Sequence, residues 1–230
     1  MTRQEELAVS LAAVHGRIDA AARAAGRDPA EVSLVVVTKT WPAADVRLLA
    51  GLGVTDVGEN RDQEAAPKAS ACADLPLRWH FIGGLQRNKA RSVARYAAVV
   101  ESVDRPELVP ALQRGAEAAD RRLDVLLQVS LDGAGGRNGA VPADLPALAD
   151  LVVAADRLTL RGVMAVAPLG ADPDDAFARL ADVAAALRVA HPQATTVSAG
   201  MSGDLEAAVR HGATHVRVGT AVLGGRPPLG

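Results

Sequence analysis

Cysteine and aromatic residues are scarce in this sequence. One cysteine, Cys72, occurs in 230 residues, which excludes an internal disulfide framework and a cysteine zinc site. Phenylalanine, tryptophan and tyrosine together make up 2% of the chain. The remaining apolar content, mainly alanine, valine and leucine, favours helices packed on strands over an aromatic binding face. The five histidines show no spacing typical of metal ligands, so we predict no metal site.

Long runs of charged or of apolar residues are also missing. The net charge is −2, and the densest basic cluster, residues 87–91, is short, so we expect no nucleic-acid partner. No apolar run approaches the length needed to span a membrane. Residues 1–6 lack the apolar core of a signal peptide. These absences together predict a cytoplasmic protein without membrane contact.

The residues that are present indicate helices alternating with strands. Thr2 and Glu5 have the spacing of a capping box, and apolar residues follow them at helical intervals. Residues 32–38 then form a nearly continuous apolar run. Such a run is typical of a strand that is buried on both faces of a parallel sheet.

The same alternation continues along the chain. Eight β/α units predict a single (β/α)8 TIM-type barrel, whereas fewer units would leave an open doubly wound sheet. Because no linker rich in Gly, Ser or Pro divides the chain, residues 1–230 are expected to form one domain, with residues 132–139 as a loop after a strand. Further strands are predicted near residues 54–57, 78–82, 98–103, 125–130, 160–166, 195–198 and 215–218, and helices near 43–50, 60–72, 85–94, 106–119, 143–155, 174–189 and 204–211.

A lysine stands where the first predicted strand leaves the barrel. The active sites of such barrels lie at the carboxyl ends of the strands, and Lys39 directly follows the apolar run at 32–38. Apolar surroundings destabilise the ammonium form of a lysine, and its neutral amine can then attack an aldehyde and form an imine. The alternative interpretation is a solvated or salt-bridged lysine at a strand end.

Glycines, serines and a threonine follow the last two predicted strands. Ser198, Ser202 and Gly203 surround the start of a predicted helix, and Gly219 and Thr220 follow the eighth strand. Backbone N–H groups at a helix start attract anions, and the loops after strands 7 and 8 commonly hold phosphate in these barrels. Either loop alone is also explained by ordinary turn chemistry, but the two in adjacent units favour a phosphate site.

Arg217 lies inside the eighth strand, on the same face as Gly219. An arginine that points into a barrel is destabilising unless it is paired or bound to a ligand. It can donate to a ring nitrogen and keep that nitrogen unprotonated, or it can form a buried ion pair with a carboxylate such as Glu59 or Asp204.

Three further residues have two interpretations each. Asn60 is positioned either to bind a ring hydroxyl or to cap a helix. His80 is more typical of a core histidine with satisfied hydrogen bonds than of a catalytic base. Met201 is expected to pack against a core or a ligand rather than to take part in chemistry.

As a set, these segments resemble the pyridoxal phosphate homeostasis protein family (the YggS/PROSC type). The likeness spans nearly the whole chain, and the segments occur in the order found in the family. They are Val36-Val37-Thr38-Lys39, Gly58-Glu59-Asn60-Arg61-Asp62-Gln63-Glu64, Trp79-His80-Phe81-Ile82-Gly83-Gly84-Leu85-Gln86-Arg87-Asn88-Lys89, Val197-Ser198-Ala199-Gly200-Met201-Ser202 and Val216-Arg217-Val218-Gly219-Thr220.

The resemblance implies a barrel like the alanine racemase N-terminal domain, with pyridoxal 5′-phosphate held as a Schiff base on Lys39. It further implies a phosphate bound around Ser198, Ser202, Gly219 and Thr220, and Arg217 facing the pyridine nitrogen. Members of the family are thought to store, deliver or buffer the cofactor, with PLP-dependent apoenzymes as recipients.

The sequence favours a carrier with little turnover over an enzyme. Racemases of this kind use a second base, a tyrosine from another domain, and the chain ends soon after Thr220, so no second domain is expected. The single tyrosine, Tyr96, is predicted to lie away from the barrel rim. An arginine at the pyridine nitrogen also weakens the electron sink that most reactions of this cofactor need.

Two alternatives remain open, and the oligomeric state is a separate expectation. The alternatives are a weak racemase-like enzyme and a class I aldolase that uses a lysine imine without a bound cofactor. A monomer is expected, because the predicted helix surfaces carry no large apolar patch.

Overall fold

The computed structural model describes residues 1–132 and 138–225, and eight parallel strands within them form a closed barrel in sequence order. The pairing of Val36 with Val218 joins the last strand to the first and closes the ring. This confirms the predicted (β/α)8 barrel. The strands are β1 (Ser33–Val37), β2 (Asp56–Glu59), β3 (Arg78–Phe81), β4 (Val99–Val103), β5 (Leu123–Gln128), β6 (Leu158–Met164), β7 (Thr196–Ser198) and β8 (His215–Val218).

Helices connect consecutive strands and surround the barrel. The alternation of helix and strand predicted from the sequence is confirmed, with boundaries that shift by a few residues. The helices are α1 (Arg3–Ala24), α2 (Ala43–Gly51), α3 (Asp62–Ala71), α4 (Ala90–Tyr96), α5 (Leu108–Ala118), α6 (Leu145–Val153), α7 (Pro173–Ala190), α8 (Leu205–Arg210) and α9 (Thr220–Leu223).

Helix α1 begins at the predicted capping box. The Thr2 hydroxyl accepts a hydrogen bond from the Glu5 N–H, and the Glu5 carboxylate accepts one from the Thr2 N–H. The apolar face of α1, which includes Leu7 and Leu11, packs in one cluster with the outer faces of β1 and β8. The helix therefore covers the seam at which the barrel closes.

One predicted helix is divided and several predicted strands are offset. The strands expected at 125–130 and 160–166, for example, run from Leu123 to Gln128 and from Leu158 to Met164. The strand expected at 54–57 runs from Asp56 to Glu59, and the helix expected at 85–94 divides into a 3-10 turn at Arg87–Lys89 followed by α4. Arg105 donates a hydrogen bond to the Leu85 carbonyl (2.6 Å), so that carbonyl is bonded outside any helix. Of the loop predicted at 132–139, residues 133–137 lie outside the described residues.

The core consists of the layer between strands and helices together with the barrel interior. The outer layer is apolar, but the interior holds a small apolar cluster of Val99, Leu126 and Met164 beside a group of hydrogen-bonded polar side chains. Neither described range contains a helix that is long and apolar enough to cross a membrane.

Candidate functional site

A cavity of about 460 Å3 opens at the carboxyl ends of the strands. Its walls come from the loops after β1, β2, β3, β7 and β8, with contributions from β5 and the segment after β6. The structure therefore brings together seven of the eight predicted site residues, which are Lys39, Asn60, Met201, Ser202, Arg217, Gly219 and Thr220.

Lys39 is half-buried in the first turn after β1. Because β1 and β8 are paired, this turn lies beside Gly219 at the end of β8. A Cβ atom on Gly219 would be 3.1 Å from the Val37 carbonyl oxygen, so glycine allows the close approach of the two strand ends. The lysine and the loop after β8 consequently share one wall of the cavity.

Hydrogen bonds connect the loops after β7 and β8 to each other. The Ala221 N–H donates to the Ser202 hydroxyl (3.3 Å), and Arg17 of α1 donates to the Ser202 carbonyl (3.0 Å). The Met201 N–H donates to the Asp204 carboxylate (2.6 Å). The two loops that are expected to hold a phosphate thus form one connected cradle, braced from outside by α1.

Arg217 lies at the floor of the cavity and is 4% exposed. Its guanidinium donates to the Ser198 hydroxyl (2.7 Å) and the Ala165 carbonyl (2.8 Å), and it lies 3.7 Å from the Glu101 carboxylate. The alternative interpretation, a buried ion pair between Arg217 and a carboxylate, is confirmed, but the partner is Glu101 and not Glu59 or Asp204, the two examples suggested. Glu59 lies on the other side of the barrel wall, where it binds Lys68, and Asp204 accepts the bond from Met201.

Ser198 is the one predicted residue that does not line the cavity. Its side chain is fully buried, donates to Glu101 (2.6 Å) and accepts from Arg217. The structure places it beneath Arg217, so its hydroxyl holds the guanidinium in place. The predicted contact between Ser198 and a phosphate stays a prediction.

From Glu101, a series of hydrogen-bonded polar side chains continues through the barrel interior. His80 lies between two carboxylates, with one ring nitrogen 2.7 Å from Glu101 and the other 2.9 Å from Asp56. The interpretation of His80 as a core histidine with satisfied hydrogen bonds is confirmed, since it is 2% exposed. Negative and positive groups therefore alternate from Asp56 through His80 and Glu101 to Arg217.

The pKa values of His80 and Glu101 indicate the charge that each of these buried side chains carries. Burial lowers the pKa of His80, but the bonds and charges of Asp56 and Glu101 outweigh burial and raise it from 6.5 to about 9. Burial raises the pKa of Glu101, but His80, Arg217 and Ser198 outweigh burial and lower it from 4.5 to about 2. At neutral pH His80 is a cation and Glu101 an anion, so the negative charge under Arg217 is permanent.

Sequence reasoning missed Glu101, Lys68 and the structural role of Glu59. Glu101 had a usable signal, because a carboxylate inside the apolar strand Val99–Val103 requires a buried partner. Lys68 had none, since a lysine in a helix normally faces solvent. Across the described ranges, no group of three or more His, Cys, Asp or Glu side chains is arranged to hold a metal ion.

The cavity and the barrel define a class of protein that the sequence comparisons also find. The family described as "Alanine racemase, N-terminal domain" matches residues 9–227. A pyridoxal phosphate homeostasis protein of Mycobacterium tuberculosis is 46% identical over 244 residues, covering 97% of this chain and 94% of that protein. One from Pseudomonas aeruginosa is 46% identical over 223 residues, covering 96% of each.

The solved structures agree with this grouping. PipY of Synechococcus elongatus, in a structure with PLP bound, is 36% identical and superposes with a TM-score of 0.83, covering 95% of this chain and 100% of that one. The chain belongs to the pyridoxal phosphate homeostasis protein family.

Proposed function

We propose that this chain is a single-domain, monomeric carrier of pyridoxal 5′-phosphate in the cytoplasm, which stores, delivers or buffers the cofactor for PLP-dependent apoenzymes. The observation that carries the proposal is the convergence of Lys39, Arg217 and the Ser202 and Thr220 loops on one cavity. The likeness to PipY, whose structure holds PLP, supports the same assignment.

The donor groups around the cavity fit the three functional parts of this cofactor. When bound, the cofactor supplies an aldehyde for imine chemistry. Lys39 would supply the amine that holds this aldehyde as a Schiff base, a condensation in which the aldehyde oxygen would leave as water. Arg217 donates toward the pyridine nitrogen and keeps its own proton. Asn60 serves the ring hydroxyl, and Met201 packs against the ring.

The phosphate belongs, in this proposal, between the loops after β7 and β8. The Ser202 and Thr220 hydroxyls supply donors, and Gly219 lets the backbone approach closely. Ser198 contributes indirectly, since its hydroxyl fixes Arg217.

Little turnover is part of the proposal. Among the described residues that line the cavity, Lys39 is the one side chain able to act as a base, because Arg217 keeps its proton. Racemisation requires a second group that returns a proton to the opposite face. A permanent guanidinium at the pyridine nitrogen also leaves that nitrogen unprotonated and weakens the electron sink.

Reductive trapping tests the assignment of Lys39. The chain has three lysines, which are Lys39, Lys68 and Lys89, so peptide mapping after borohydride has few candidates to separate. We expect the purified, cofactor-loaded protein to lose its visible absorbance on reduction and to carry the label on Lys39. Lys89→Ala, which removes a lysine outside the cavity lining, should label as the wild type does. A label on another residue, or none, overturns the proposal.

Turnover separates the carrier from the racemase alternative. Incubating the loaded protein with L-alanine should leave the optical rotation unchanged over hours. Loss of rotation at the rate of an ordinary enzyme, at least about 1 per second, would show that the chain is a racemase and overturn the carrier assignment.

A further inference from the structure

The backbone that carries Lys39 has an unusual conformation. Residues 38–41 form a tight turn in which the Trp41 N–H donates to the Thr38 carbonyl (3.1 Å). Thr40, next to Lys39, has a φ of 70°. A β-branched residue rarely adopts this left-handed conformation, which persists only where the surrounding structure imposes it. Some other part of the fold must therefore hold this turn.

Helix α3 holds the turn from behind the barrel wall. Lys68 of α3 donates from its Nζ atom to the Thr38 carbonyl (2.9 Å) and also binds Glu59. The Thr38 hydroxyl donates to the same Glu59 oxygen (2.7 Å). Further along, the Thr40 N–H donates to Glu64 of α3 (3.1 Å). Both residues that flank Lys39 are thus hydrogen-bonded to side chains of β2 and α3.

Stability alone does not explain the buried cluster of Lys68, Glu59 and Thr38. Lys68 is 8% exposed and Glu59 is fully buried, and an ion pair at such depth adds little stability relative to apolar residues of the same size. The second carboxylate oxygen of Glu59 has no hydrogen-bond partner, which is itself destabilising. The contacts of Lys68 and Glu59 are made to Thr38, the residue between the end of β1 and Lys39.

We propose that Lys68 is a positioning residue for Lys39, and that Glu59 locks Lys68 against the Thr38 carbonyl. The pair holds the turn at residues 38–41 with Thr40 in its left-handed conformation, so that the Lys39 amine enters the cavity already oriented toward the aldehyde. This inference rests on the proposed function, because it assumes that Lys39 forms the Schiff base.

The test separates non-covalent binding from the covalent step. Pyridoxine 5′-phosphate has the ring and the phosphate but an alcohol in place of the aldehyde, so its affinity reports the cradle and Arg217 without the Lys39 reaction. For pyridoxal 5′-phosphate, quenching with borohydride at successive times gives the rate at which the Lys39 adduct forms. The variants are Lys68→Met and the double variant Lys68→Met with Glu59→Gln, which leaves no buried charge unpaired.

Both variants should bind pyridoxine 5′-phosphate within about twofold of the wild type and form the adduct about 10- to 100-fold more slowly, as expected for a misoriented reacting group. Lys68→Arg, which keeps a donor, should recover part of the rate. Arg47→Met is the matched control, because it removes exposed contacts of α2 with Asp74 and with the Ala71 carbonyl at the far end of α3, which do not involve residues 38–41. It should change neither measurement.

Three outcomes overturn the positioning role, and they are distinguishable. An unchanged adduct rate in both Lys68 variants shows that the turn needs no support. A parallel loss of adduct rate and of pyridoxine 5′-phosphate binding shows a general structural role. If the wild type forms no adduct on Lys39, the proposed function fails as well. This outcome is distinguishable from the other two because it is seen in the wild type, without any variant.

Discussion

Replacing His80 by glutamine should remove a pH-dependent contribution to stability from the barrel interior. The native pKa of His80 is about 9, against 6.5 for an ordinary histidine. A raised native pKa stabilises the fold fully below about pH 6.5, and this contribution is lost as the pH rises through about 9. The raised pKa corresponds to roughly 3 kcal/mol of unfolding free energy, at about 1.36 kcal/mol per pH unit.

The groups that face His80 support this sign. Asp56 and Glu101 accept from its ring nitrogens, and the nearby His215 ring, 6.3 Å away between centroids, has a pKa lowered by burial. His215 therefore stays neutral and does not oppose the charge on His80. The low pKa of Glu101 reflects the same contact, so its contribution is not added to that of His80.

Urea unfolding followed by circular dichroism measures the effect. At about pH 6 the His80→Gln variant should be less stable than the wild type by roughly 3 kcal/mol, and the difference should shrink toward zero by about pH 10. His15→Gln, at an exposed position of α1, is the control and should track the wild type throughout. A difference between His80→Gln and the wild type that does not change with pH would refute the assignment of His80 as a buried cation.

Three further predictions concern the cavity. Lys39→Ala should abolish the visible absorbance of the loaded protein and still unfold cooperatively, within about 1 kcal/mol of the wild type, because the side chain is half-buried at the rim; loss of cooperative unfolding would show that Lys39 belongs to the packed core. Arg217→Ala should destabilise the fold by up to about 3 kcal/mol, since it removes one of the two cations that face the buried Glu101, the other being His80. It should also weaken cofactor retention in equilibrium dialysis, and unchanged retention would make Arg217 purely structural. Gly83→Ala would place a Cβ atom 2.0 Å from the Asn60 carbonyl oxygen, so the loop after β2 must move. The affinity for pyridoxine 5′-phosphate should therefore fall about tenfold or more. An unchanged affinity would exclude a role for this loop.

The overall fold could be predicted from the sequence because each strand of a parallel barrel is covered on its outer face by helices and filled on its inner face by side chains. Apolar runs such as that of β1 are visible without any alignment. Boundaries were less certain where tertiary hydrogen bonds decide them. Leu85, for example, was expected to begin a helix, but its carbonyl accepts from Arg105.

The cavity was predictable to the extent that its residues directly follow strands, as Lys39 and Gly219 do. The supporting polar residues were less accessible to sequence reasoning. Ser198 shares the loop pattern of the phosphate cradle, yet its side chain points beneath Arg217, and a sequence does not show this depth. The contact between Lys68 and Thr38 joins helix α3 to the end of β1, 30 residues away in the sequence, so no local sequence pattern reveals it.

The pairing of β1 with β8 has a consequence for how the chain acquires its ligand. Lys39 and Arg217 come from opposite ends of the sequence and become neighbours only through this pairing, a contact of high sequence separation of the kind that is slow to establish. A chain whose eighth strand has not yet paired would lack the half of the cradle that follows β8. During refolding, cofactor capture should therefore coincide with the final kinetic phase seen by circular dichroism, and capture in an earlier phase would show that the site assembles before the ring is complete.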